Sequence, residues 1–276
     1  MPVRLEINNG MLQVLQSFDR PAVYLDHWAV REFSSNPEQG SRLLDKIKDC
    51  GGCLVISHVN LVELTGAADP AHAEDAAQFF ERALPHLYFA MFDIEAAINQ
   101  ERQAGDAPFR LGAPPDIELL RTVALERPDD LKPLTIARLI RVIAANRERL
   151  QADWNESNQT VADHINNVRS DPEPVRMVTK FASHSNLPTT AIMQELLRPI
   201  FMDQSLPIGK NDSADIHHAI TSIAYCDYVL LDGKWADLHE RMVKRFGQLG
   251  VNIPVAEVFS KRRNGVALFL QTLEQL

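Results

Sequence analysis

The sequence predicts an α/β fold: the two ends of the chain form one α/β unit with parallel strands, interrupted by a mostly helical insertion. Three observations predict it. Residues 22–25, 53–56 and 228–231 are short, continuously apolar runs, as buried parallel strands tend to be. Each runs almost directly into a segment of helical periodicity. Between the second and third runs lies a long stretch that is helical in pattern and carries only one strand-like segment, 87–91.

The elements follow in order. The strand 22–25 stops on Asp26, and His27-Trp28-Ala29-Val30 opens a helix. Residues 37–50 carry Leu43, Leu44 and Ile47 at helical spacing, and Gly51-Gly52 marks the end of that helix. The strand 53–56 leads into a helix beginning at His58. Helical patterns over 71–84, 94–103, 115–126, 134–155 and 189–202 are punctuated by prolines. A helix over 213–225, the strand 228–231 and a helix over 235–246 restore the α/β signal. A short last strand is expected at 251–254 and a terminal helix at 267–276. The expected organisation is thus a discontinuous α/β domain (20–68 and 206–260), an insertion (69–205) and a C-terminal helix (261–276).

Composition narrows the function classes. The chain has 276 residues, 45% hydrophobic and 24% charged, which is ordinary for a water-soluble globular protein. No apolar run approaches the ~20 residues of a membrane span, and the polar N-terminus does not resemble a signal peptide. A cytoplasmic location is the expectation. A net charge of −9 argues against a general nucleic-acid coat but leaves room for a local basic patch. Three cysteines are too few for a disulfide framework, and Cys50-Gly-Gly-Cys53 lacks the second pair that zinc would normally want.

Acidic residues cluster where the strands end. Asp26 leaves the first strand and Asp232 the third. Glu63 lies on the helix after Ser57, and Asp212 and Asp215 open the helix before the third strand, three apart on one face. Each has a structural explanation on its own. Asp is a favoured N-cap, Asp212-Ser-Ala-Asp215 resembles a capping box, and Asp232-Gly233 is a good turn dipeptide. Together they can gather at one sheet edge, where bunched carboxylates repel one another unless a cation sits among them. Oxygen ligands of this kind suit Mg²⁺ or Mn²⁺, which supports phosphodiester hydrolysis.

The stretches "VYLDHWAV", "LVISHVNLVEL" and "DSADIHHAITSIAYCDYVLLDGKW" resemble the signature regions of PIN-domain nucleases. The resemblance implies a Rossmann-like α/β/α sandwich with a central, mostly parallel sheet, and catalytic and metal-binding roles for Asp26, Glu63, Asp215 and Asp232, with Asp212 competing for the third position. It implies Mg²⁺- or Mn²⁺-dependent endoribonuclease activity on an RNA substrate, in some members as a toxin with an antitoxin-like protein partner. A homodimer is a further expectation. The fourth region departs from the family pattern: Leu231-Asp232-Gly233 stands where Thr-x-Asp is usual. The alternative is a catalytically inactive PIN-like scaffold whose helical insertion binds a protein partner.

Substrate contacts are expected from His218, on the Asp215 face, and from Ser57 and Asn60. They are also expected from Arg138 and Arg141, which share an arc with Arg149 on the 134–155 helix. Lys261-Arg262-Arg263 is a second basic cluster suited to a phosphate backbone. The doublet His217-His218 lacks the further His and Asp ligands of a His-rich phosphohydrolase, and no Gly-rich phosphate loop is present.

Overall fold

The computed structural model describes residues 3–8, 11–65, 70–105, 110–117, 119–120, 140, 143, 147–173, 175–176, 187–203, 205–206 and 208–276. The chain opens with a hairpin, β1 (Val3–Asn8) and β2 (Met11–Gln16). Next come β3 (Ala22–Leu25), α1 (His27–Ser35), α2 (Pro37–Asp49), β4 (Cys53–Ile56) and α3 (His58–Thr65). They are followed by α4 (Pro70–Ala83), β5 (Leu87–Phe89), α5 (Ile94–Ala104), α6 (Arg147–Ser170) and α7 (Pro188–Met202). The final part comprises α8 (Lys210–Tyr225), β6 (Tyr228–Leu230), α9 (Gly233–Leu249), β7 (Glu257–Phe259) and α10 (Gly265–Glu274).

The five-stranded sheet has the order β5-β4-β3-β6-β7, and every pairing in it is parallel. Alternation along β3 explains its burial on both faces. Val23 and Leu25 enter a core with α1, α2, α4 and α10, whereas Ala22 and Tyr24 enter a second core with α5, α7, α8 and α9. Strand side chains point alternately to opposite faces, so a four-residue apolar run feeds two cores at once. Helices therefore cover both sides of the sheet. Phe33 of α1, fully buried, meets Phe269 of α10 at 6.1 Å between ring centroids, which ties the terminal helix to the first layer.

The chain builds outward from β3 through β4 to β5, then returns to add β6 and β7 on the other side. Such a switch leaves a crevice at the carboxyl ends of the central strands. The Asp26 N–H donates to Leu230 O at 3.0 Å, and the Leu231 N–H donates to Phe259 O at 2.9 Å. Asp26 and Asp232 are thereby held just beyond the ladder, at the carboxyl edge of the sheet.

Several expectations are corrected. The segment 69–205 contributes the edge strand β5 to the sheet, and α4 packs on α1, so residue 69 is no boundary in the sheet. The last strand is Glu257–Phe259, not 251–254. Pro254 lacks the N–H a ladder needs, and the chain first anchors through the Ala256 N–H to Ile223 O at 2.9 Å. The long helix reaches Ser170, well past residue 155. The hairpin β1–β2 was not foreseen. Residues 121–139 lie outside those described, and so do most of the expected 115–126 helix and half of the expected 134–155 helix. Among the described residues, no helix is long and apolar enough to cross a membrane.

Candidate functional site

Asp26 is 6% exposed, and its carboxylate accepts from the His27 N–H at 2.7 Å, which fixes it at the start of α1. Glu63 arrives from α3, and His218 from the third turn of α8. One ligand atom from each of Asp26, Glu63 and His218 lies within 4.8 Å of the others. The Glu63 Oε2 atom and both ring nitrogens of His218 are buried and have no hydrogen-bond partner among the described residues. Buried polar atoms normally find partners, so three orphaned atoms in one place need an explanation.

Electrostatics mark the same spot. Burial, then the charges of Asp26 and Asp215, push the Glu63 carboxyl up to about 8. Burial, then Asp26 and Asp232, push Asp215 up to about 7, against the nearby Trp235 indole, which favours its charged form. Asp26, Glu63 and Asp215 thus feel one another's charge, and Asp232 acts on Asp215. Burial holds the His218 imidazole down at about 4, so it is a neutral lone-pair donor at neutral pH. His27, which the sequence reading left out, lies with Nδ1 3.5 Å from Asp26 Oδ1, and that contact raises it to about 9. The sequence signal for His27 was its place immediately after the first acid.

The remaining expected residues sort by geometry. Asp232 caps α9, accepting from the Lys234 and Trp235 N–H groups at 2.8 and 3.0 Å. Asp212 is committed elsewhere: one oxygen accepts from the Gly209 N–H at 2.9 Å and the other pairs with the Lys234 ammonium. Of the two competitors, Asp215 is the one coupled to both Asp26 and Glu63. Ser57 and Asn60, expected to touch substrate, are 0% and 1% exposed and bond each other. The Ser57 N–H donates to Asn60 Oδ1 at 3.0 Å, and Asn60 Nδ2 donates to the Tyr24 hydroxyl at 3.0 Å. Their role is to support the site, because the Tyr24 ring stands edge-on to His218 at 5.9 Å and Phe92 does so at 5.8 Å. His218 is itself 1% exposed, which places it in the ligand cluster and not on a substrate surface. Arg138 and Arg141 lie outside the described residues.

Comparison of the chain with known protein families, with curated proteins and with solved structures gives no match to any of them.

Proposed function

We propose that the chain is a metal-dependent phosphodiesterase of PIN-like type that cleaves RNA. The observation that carries the reading is the meeting of Asp26, Glu63 and His218 within 4.8 Å of one another, with unpartnered buried donor atoms on two of them. The donor set fits a divalent cation. Two carboxylates and a neutral imidazole suit Mn²⁺ better than Mg²⁺, which strongly prefers oxygen and water. Three ligand atoms within 4.8 Å of one another could be spanned by one such ion, with water supplying the remaining ligands.

When bound, such an ion supplies positive charge for the phosphate oxygens and promotes ionisation of water. Asp26, at the end of β3, and Glu63, on α3, would fix its position. His218 would offer it a ring nitrogen that burial keeps free of a proton. Asp215, poised at about 7, can accept the proton that the attacking water loses. Asp232 keeps the Asp215 carboxyl from ionising too early and caps α9 at the crevice rim.

Calorimetric titration with Mn²⁺, alongside cleavage of an end-labelled single-stranded RNA, tests the reading. The wild type should bind Mn²⁺ and cleave. Asp26→Asn should lose more than about a hundredfold in metal affinity and in rate, since even outer-shell partners of metal ligands cost ~10–100-fold. Equal trace activity in both proteins, with no measurable Mn²⁺ binding, would favour a non-catalytic scaffold.

A further inference from the structure

We infer that the turn 260–265 is a phosphate-binding element of the site, and that Arg262 is the residue that contacts an RNA phosphate next to the scissile one. The inference deepens the proposed nuclease reading and rests on it for the identity of the substrate.

The turn leaves β7 at the carboxyl edge of the sheet, the edge that carries Asp26 and Asp232. β7 is the second strand from β3 and neighbours β6, so at ~4.8 Å between strands the turn begins about 10 Å from the line of β3. Three consecutive cations, Lys261, Arg262 and Arg263, project from it. In a chain of net charge −9, that run is what a polyanion approaching four clustered acids needs beside them.

The turn is tightly built. A Cβ on Gly265 would lie 1.9 Å from Ser260 O, so only glycine lets the chain close there. Arg263 and Asn264 both adopt left-handed backbone, with φ of 56° and 61°, conformations that cost energy in residues other than glycine. The closure points Arg262 back over α9. Its guanidinium lies across Gly233, the residue directly after Asp232, and a Cβ at Gly233 would come within 2.5 Å of Arg262 Nε. Glycine at 233 thus makes the seat for Arg262 beside the fourth acid.

The three cations already have carboxylate partners. Lys261 faces Glu32 at 3.6 Å, Arg262 meets Asp237 at 3.1 Å and Arg263 meets Glu240 at 3.0 Å. All six side chains are substantially exposed, and exposed pairs of this kind contribute little to stability. Such pairs hold the guanidinium in place yet exchange readily for a phosphate, which Arg can grip with two parallel hydrogen bonds.

The test compares wild type, Arg262→Gln, Arg262→Lys, Gly233→Ala and the Gly233→Ala/Arg262→Gln double variant. Each is assayed for cleavage of a labelled single-stranded RNA in Mn²⁺ across a salt series, for binding of the same RNA by anisotropy in EDTA, and for Mn²⁺ affinity. Arg262→Gln should raise KM about tenfold, as expected for losing a charge-assisted hydrogen bond. It should also flatten the salt dependence of log(kcat/KM) by about 0.7, the value for one phosphate on a single strand. Gly233→Ala, which unseats the side chain without changing charge, should act in the same direction, and the double variant should be no worse than Arg262→Gln alone. Arg262→Lys should recover the salt slope but not the full affinity. Mn²⁺ affinity should stay at the wild-type level throughout. Unchanged KM and salt slope in Arg262→Gln, or effects of Gly233→Ala and Arg262→Gln that multiply, would overturn the inference. If wild type binds RNA with this Arg262 dependence yet cleaves none, the inference stands and the nuclease reading falls.

Discussion

Raising the pH from 6.5 to 8 without divalent metal should weaken the fold, and Glu63 is the main reason. Its carboxyl titrates near 4.5 in an unfolded chain and at about 8 in the folded one. Between those values the folded state holds a proton that the unfolded state has released. The stabilisation is therefore complete below 4.5 and is lost as pH rises through 8. Across 1.5 pH units, at 1.36 kcal/mol per unit, the loss is about 2 kcal/mol. Asp215, at about 7, adds a smaller loss in the same window and direction. His27, raised to about 9, also loses stabilisation as pH rises, though its half-exposed ring calls for a heavy discount. His218 and His239, both held at about 4 by burial, are neutral in the folded state but still shed protons in the unfolded one near pH 6.5, so they oppose the trend weakly at the start of the window. Saturating Mn²⁺ should reverse the trend, because metal binds the deprotonated Glu63 and favours the folded state more as pH rises. Urea unfolding at pH 6.5, 7.0, 7.5 and 8.0, in EDTA and in Mn²⁺, measures both arms. Glu63→Gln should abolish most of the EDTA slope. A metal-free stability that is flat or rising with pH, or a Glu63→Gln protein with the wild-type slope, would refute the reasoning.

His218→Phe should separate stability from function. It removes an unpartnered buried imidazole from between Tyr24 and Phe92, so thermal unfolding should show equal or greater stability while calorimetry shows Mn²⁺ affinity at least tenfold lower. Asn60→Ala should destabilise by about 2–3 kcal/mol in urea, since it strands the buried Ser57 and Tyr24 groups that Asn60 satisfies. Phe33→Ala should cost about 3–5 kcal/mol by opening a cavity against Phe269, with Mn²⁺ affinity of the folded fraction unchanged.

What the sequence made legible was set by local signals. Ala22–Leu25 and Cys53–Ile56 are unbroken apolar runs bounded by Pro21, Asp26, Gly52 and Ser57, and both appear as central strands with the expected limits. Asp26, directly after the first of them, could be placed at the carboxyl edge because a parallel sheet aligns its strand ends. The final strand was harder to read. Val251, Ile253 and Val255 alternate as a strand would, yet they pack against the second core as an extended lead-in, and the ladder begins only after Pro254. The hairpin had a readable signal, Asn9-Gly10 between two alternating runs. Local pattern alone cannot show that Gln16 reaches across to pair its side-chain amide with the backbone of edge strand β5, at 2.9 and 3.0 Å. His218 shows the same limit. Its helical position put it near Asp215, but its role depends on Tyr24 and Phe92 closing around it from β3 and the segment after β5.

Diffraction from crystals soaked in Mn²⁺, with an anomalous map collected above the manganese edge, tests the central claim most directly. The account predicts a single strong peak bonded to Asp26, Glu63 and His218, with Asp215 close by and Asp212 still paired to Lys234. No peak at that cluster under saturating Mn²⁺, or an ion held elsewhere with the Glu63 and His218 atoms still unpartnered, would contradict it.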